Sequence, residues 1–277
     1  TTTLNERTGN MPLRANRVTP RQLKPKCIKV YPRSGHVLNA VGLSGPGAQW
    51  LLDSMKWQDL NEPFMLSFMT VAKDKSGRIS ELRAFCRLLE GKLCTFRAYP
   101  NRIALQLNFA CPNTGHDLNE RYAELKEMLD ICFYLHIPIV VNFHPLVPIE
   151  VIMVAQEHEV CDAIWIGNTI PWGSDGIHWR QFMKAGHHPT ALMSPLEDLG
   201  GGGLSGPVCL PFTLSKVAEA RAAGFTKPII AGNGVQRKRD VIALQMAGAS
   251  GIALGIIGMV RPWRMRGVID EGHFQFP

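Results

Sequence analysis

The 277-residue chain has no stretch of about 18 uninterrupted apolar residues, which excludes a membrane-spanning helix. It has no C-x-x-C spacing, and its seven cysteines are an odd number, so neither a disulfide framework nor a zinc site is indicated. A reducing, cytoplasmic setting is therefore expected, with no metal site. No cysteine cluster suits an iron–sulfur centre, so any such centre would belong to a partner. Internal repeats, low-complexity tracts and inter-domain linkers are lacking. The chain opens Thr-Thr-Thr, without an initiator Met or a charged-then-apolar leader, so a preceding segment is expected. Charge of one sign is also scarce. Thirty Lys and Arg against 23 Asp and Glu leave +7, gathered at Arg14, Arg17, Arg21, Lys24, Lys26, Lys29 and Arg33 and again at Arg261, Arg264 and Arg266. That balance admits an anionic ligand or RNA and is equally that of a solvated cationic surface.

What the chain does have is alternation. Apolar runs rich in β-branched and aromatic residues occur at 64–71, 103–108, 138–143, 162–168, 228–232 and 251–255. Helical patterns lie between them at 78–91, 118–135, 148–158, 211–223 and 236–247, and a helix-like run follows Gly255. Strands apolar on both sides, each followed by a helix, imply parallel pairing with covered faces, hence an α/β protein. A closed (β/α)₈ TIM barrel needs eight strands, so the barrel reading puts the first two upstream of residue 1. An open doubly wound sheet would accept six, but no G-x-G-x-x-G follows a first strand to support it. The chain reads as one barrel domain over 1–277, N-terminally incomplete, with a hairpin at about 27–39 and a long loop insertion at about 171–207.

Active sites in such barrels sit at the C-terminal ends of the strands. The residues there are polar: Asn108 and Asn113 around Cys111, Asn142 and His144, then Gly167, Asn168 and Thr169. Carboxamides offer two-way hydrogen bonds to a small polar ligand, and a thiol can move a proton near neutral pH. Cys111 is the candidate base; the other six cysteines read as inert core residues. Glycine-rich stretches, Gly200–Gly206, Gly232–Gly234 and Gly255, suit phosphate binding by backbone N–H groups. His116, His144 and the His187-His188 pair lack partners at metal spacing and read as structural or surface residues.

These residues resemble the dihydroorotate dehydrogenase family of flavin-dependent barrels. The likeness runs through TTTLNERTGNMPLR (1–14), NAVGLSGPG (39–47), NFACPN (108–113), GNT (167–169), GGLSGP (202–207) and AGNGV through AGASGIALG (231–255). It implies oxidation of dihydroorotate to orotate, in pyrimidine biosynthesis, with FMN as cofactor. Asn39, Asn108, Asn113, Asn168 and Thr169 would hold the substrate, and Cys111 would take the C5 proton while a hydride leaves C6. Asn142 and Asn168 would face the flavin, and Ser205-Gly206, Asn233-Gly234 and Gly255-Ile256 would cradle its phosphate. Cysteine as base is similar to the family's cytosolic class, in which a homodimer is usual. Asn142 stands where the family carries a lysine, Asn233 where a glycine is usual, and Ile256 where a threonine is common. A neutral amide at 142 supplies at most a hydrogen bond. The electron acceptor is left open; no membrane or nucleic-acid partner is expected. Two alternatives are carried: an enzyme like the tRNA-dihydrouridine synthases, and a non-catalytic barrel that binds a phosphate-bearing ligand.

Overall fold

The computed structural model describes residues 1–97, 102–109, 123–182 and 193–277. Six strands form one curled, all-parallel sheet: β3 (Phe64–Phe68), β4 (Ile103–Asn108), β5 (Ile139–Phe143), β6 (Ala163–Ile166), β9 (Ile229–Ala231) and β10 (Gly251–Ile252). They lie in the order β10-β9-β6-β5-β4-β3. Thr2 pairs in parallel with Phe68 on the free side of β3, its N–H donating to Ser67 O at 2.7 Å. The parallel order of a ring is thus continued by one residue beyond the sixth strand.

The strands' period of two sorts their side chains onto opposite faces. One set, including Leu66, Phe68, Leu105, Leu107, Val141, Phe143, Ile164 and Ile166, packs under the helices in the main hydrophobic core. The other set carries Ser67, Gln106, Asn108, Asn142 and Trp165, which lie in register across β3 to β6. This inner face explains why the apolar runs carry polar residues at Ser67 and Gln106 and end in polar residues at Asn108 and Asn142.

Helices follow the strands: α2 (Lys75–Leu93) after β3, α3 (Leu125–Cys132) before β5, α4 (Ile149–Glu157), α5 (Leu210–Ala222), α6 (Lys238–Met246) and the C-terminal α8 (Pro262–Gln275), with the short α1 (Ala48–Asp53) and α7 (Ile257–Val260). α2 starts where the Asp74 side chain accepts from Gly77 N–H at 2.8 Å. Its buried residues Ile79, Leu82, Phe85, Cys86, Leu89 and Leu93 recur at helical spacing. Phe85 stacks on Phe68 with ring centroids 3.8 Å apart, fixing α2 against β3. Arg78 is buried on the same helix. Its guanidinium meets the Glu124 carboxylate at 2.6 and 3.0 Å and donates to Ala72 O and Lys73 O, so one buried ion pair ties α2 to the start of α3 while the same side chain holds the loop after β3.

The hairpin strands β1 (Ile28–Tyr31) and β2 (His36–Asn39) do not stand alone. β2 pairs antiparallel with β8 (Gly203–Ser205), which pairs with β7 (Ile170–Pro171), giving a second sheet in the order β1-β2-β8-β7. The long insertion therefore contributes strands, and its Trp179, Phe182 and Leu196 share a separate core with Leu38 and Leu204. One cysteine expectation is corrected. Cys27, Cys86, Cys132, Cys161 and Cys209 are buried, but Cys94 is exposed where α2 ends.

Candidate functional site

The polar ends of the inner face converge on a hydrogen-bonded chain. Asn108, the last residue of β4, donates from Nδ2 to Thr1 Oγ1 at 3.0 Å and accepts at Oδ1 from Asn168 Nδ2 at 2.9 Å. Asn168 accepts the Thr169 N–H at its side-chain oxygen (2.8 Å), and its carbonyl accepts from Asn233 Nδ2 (2.9 Å). Asn233 in turn accepts the Gly206 N–H at 3.2 Å. Five of the sequence-predicted residues, Asn108, Asn168, Thr169, Gly206 and Asn233, at the ends of β4, β6, β8 and β9, are thus joined in one network.

A level lower, Asn142 donates to Gln106 Oε1 at 3.4 Å, which also accepts the Ser67 hydroxyl at 2.7 Å. Asn142 Oδ1 and Thr169 Oγ1 are buried and have no partner among the described residues. A polar atom left in that state costs about 1–3 kcal/mol, which makes both oxygens natural contacts for a ligand.

Ser205, Asn233, Gly234, Gly255 and Ile256 line a single cavity of about 120 Å³, together with Trp165, Gly167 and Leu254. Its volume matches that of roughly four waters at about 30 Å³ each, enough for a phosphate-sized group. Asn233 occupies the left-handed region at φ +64°, which asparagine tolerates better than most residues; this is how it replaces glycine there. Gly234 cannot be replaced so easily. A Cβ at its φ of +106° would fall 2.6 Å from Gly206 O. Gly255 would have nothing within 4 Å of a Cβ, so a side chain there would meet open space.

The turn Gly206–Val208 rests on His36. Val208 N–H donates to His36 Nε2 at 3.1 Å, and a Cβ on Gly206 would lie 2.4 Å from that ring. Burial, and secondarily Arg261, lowers the His36 pKa to about 4, so its ring stays a neutral acceptor at neutral pH. Cys209, just beyond, is pushed up to about 12 by burial and stays a thiol. His144 is also held near 4, by burial and then Lys216; its Nδ1 accepts the Leu146 N–H, a structural role.

Of the remaining predicted residues, Asn39 lies on β2 and donates to Gly203 O at 3.4 Å, one strand from Ser205. Cys111, Asn113 and His116 lie outside the described residues, as do His187 and His188. Sequence reading missed His36, Gln106, Ser67 and Trp165. Gln106 and Trp165 each sit in phase with a strand-end asparagine or glycine at a spacing of two, the signal that could have found them.

A sequence model of the family described as dihydroorotate dehydrogenase matches residues 1–271. The chain is 27% identical over 274 residues to the dihydroorotate dehydrogenase B (NAD(+)), catalytic subunit, of Bacillus pumilus, covering 95% of this chain and 78% of that protein. Its counterpart in Bacillus mycoides is 28% identical over 278 residues, with the same coverage. Among solved structures, a ligand-free DHODH from Eimeria tenella superposes with TM-score 0.67 at 18% identity, covering 98% of this chain and 75% of that one. The likeness is one of fold, the TIM barrel, six of whose eight strand positions are filled by the parallel sheet.

Proposed function

Because the chain belongs to the dihydroorotate dehydrogenase family, we propose that it converts dihydroorotate to orotate by losing the C5 proton to Cys111 and the C6 hydride to FMN. The chain is an FMN-dependent oxidoreductase acting on a CH–CH bond. FMN, when bound, supplies the hydride acceptor at the strand ends. The residues present fit it: Ser205, Gly206, Asn233, Gly234, Gly255 and Ile256 would hold its phosphate, and Asn142 and Asn168 would face the ring.

The chain's own residues do the rest. Cys111 follows the Asn108 rim by three positions in the sequence, and a thiol with an ordinary pKa near 8.5 is a competent base close to neutral pH. Cys209 is no rival, since burial keeps it protonated. Asn39, Asn108, Asn113, Asn168 and Thr169 would orient the substrate, because carboxamides and a hydroxyl can answer both the N–H and C=O groups of its ring. NAD, reached through a partner subunit, is the terminal acceptor that the relatives' names favour. A homodimer in the cytoplasm completes the proposal; among the described residues no helix is long and apolar enough to cross a membrane.

One observation supports this reading most. Five of the six residues named from sequence for the FMN phosphate, all but Gly206, line one cavity, and the hydrogen-bonded chain Asn108–Asn168–Asn233 ends on its wall. The test is to load the protein with FMN, remove the excess, and add dihydroorotate without oxygen. The visible flavin absorbance should fall as orotate appears in equal amount. Retained FMN with no change in absorbance would overturn the proposal.

A further inference from the structure

Trp165 is the polar-tipped side chain on the cavity wall that has no role in the reading above. It sits on the inner face of β6, level with Asn142 across the β5–β6 pair. Its indole is folded toward the strand's C-terminal end. A Cβ on Gly167 would stand 2.6 Å from Trp165 Nε1, so a glycine two residues on is what lets the ring lie there. The nitrogen is a donor only, the residue is half-buried, and no described residue accepts from it. A buried or half-buried indole N–H ordinarily finds a partner.

The cavity it borders has no charged donor on its wall. No lysine or arginine is among its lining residues, so an anion there depends on neutral N–H and O–H groups. One of these is already spent, because Asn233 takes the Gly206 N–H at its side-chain oxygen. Ile256 has no hydroxyl to offer. Charge-assisted hydrogen bonds are roughly twice as strong as neutral ones, so the unpaired indole gains most by pointing at an anion.

We infer that the Trp165 indole N–H donates to the phosphate of the ligand held in this cavity, in the place of the N–H that Asn233 occupies. The inference rests on the FMN reading and adds a residue to its phosphate site. It makes Trp165 a determinant of preference for the phosphorylated over the unphosphorylated flavin.

The experiment compares FMN, riboflavin and inorganic phosphate. Trp165→Phe keeps the aromatic bulk and removes the donor. It should weaken FMN binding, read by flavin fluorescence, roughly 10- to 100-fold, the loss expected for one hydrogen bond to a charged group. Riboflavin affinity should stay within about twofold, the error of such a comparison. Trp165→His, which retains a ring N–H, should recover part of the FMN affinity. In the unsubstituted protein one indole N–H resonance should move on adding FMN or inorganic phosphate and not on adding riboflavin, a readout that needs no variant to fold. Equal losses for both flavins, an unchanged FMN affinity, or an indole spectrum indifferent to phosphate overturns the inference. Phosphate-dependent binding without dihydroorotate turnover would instead sink the proposed reaction and leave this contact standing. Failure to bind either flavin or phosphate would sink both.

Discussion

Three glycines separate the strain of the loops from the space of the cofactor site. Gly173 has φ +86° with nothing within 4 Å of a Cβ, so Gly173→Ala tests backbone strain alone, about 1–2 kcal/mol. Gly255 has an ordinary φ and equally open surroundings, so Gly255→Ala should leave stability within about 0.5 kcal/mol while adding a methyl to a residue that lines the 120 Å³ cavity. Gly234 combines both effects. Its φ of +106° and the 2.6 Å approach to Gly206 O predict a loss of roughly 1–3 kcal/mol. At about 2–4 °C per kcal/mol for a chain of this size, the Tm should fall by roughly 2–12 °C. Thermal melts and FMN titrations on the three variants give a pattern rather than one number. Gly173→Ala should lose stability and keep FMN affinity, Gly255→Ala should keep stability and lose affinity about 5- to 30-fold, the equivalent of 1–2 kcal/mol, and Gly234→Ala should lose both. If Gly255→Ala bound FMN as tightly as the unsubstituted protein, the cavity would not be the phosphate seat.

Arg78→Met should cost about 3–5 kcal/mol in urea unfolding, because it strands the buried Glu124 carboxylate; Arg78→Met with Glu124→Leu should recover most of it, and equal losses would contradict the ion-pair account. His36 and His144 are held neutral in the fold with pKa values lowered from 6.5 to about 4. The unfolded chain therefore binds more protons between those values, and stability should fall as pH drops from about 6.5 to 4, by at most about 1.4 kcal/mol per pH unit per histidine. His144→Gln should reduce that slope, and a flat profile for the unsubstituted protein would remove the argument. Asn168→Asp turns the donor at 2.9 Å from Asn108 Oδ1 into a second acceptor. Steady-state kinetics at saturating FMN should show KM for dihydroorotate raised roughly tenfold, the loss of about one hydrogen bond.

The parallel sheet was legible because each of its strands is buried on the helix-facing side and carries its own local signal. Runs at 103–108 and 138–143 match β4 and β5 to within a residue. Of the second sheet only the β1–β2 hairpin was legible. β8 is three residues, Gly203–Ser205, following glycines at positive φ, and its partner β2 lies far upstream, so only three-dimensional proximity defines the pairing. α1 is six residues long with no side-chain cap and was missed for want of a period. At the site, the strand-end asparagines were readable by position. His36 was not, since its role depends on the Gly206–Val208 turn arriving from far along the chain. Trp165 was hidden by its type, because a tryptophan in an apolar run reads as core.

The central claim is that this rim sets an ionisable sulfur beside a bound flavin and the substrate's C5. Single-turnover reduction of FMN-loaded Cys111→Ala by dihydroorotate, without oxygen and against the unsubstituted protein, tests it most directly. The account predicts unchanged FMN content and reduction slowed by about 10²- to 10⁴-fold, the usual worth of a positioned general base. Reduction at the rate of the unsubstituted protein would contradict it.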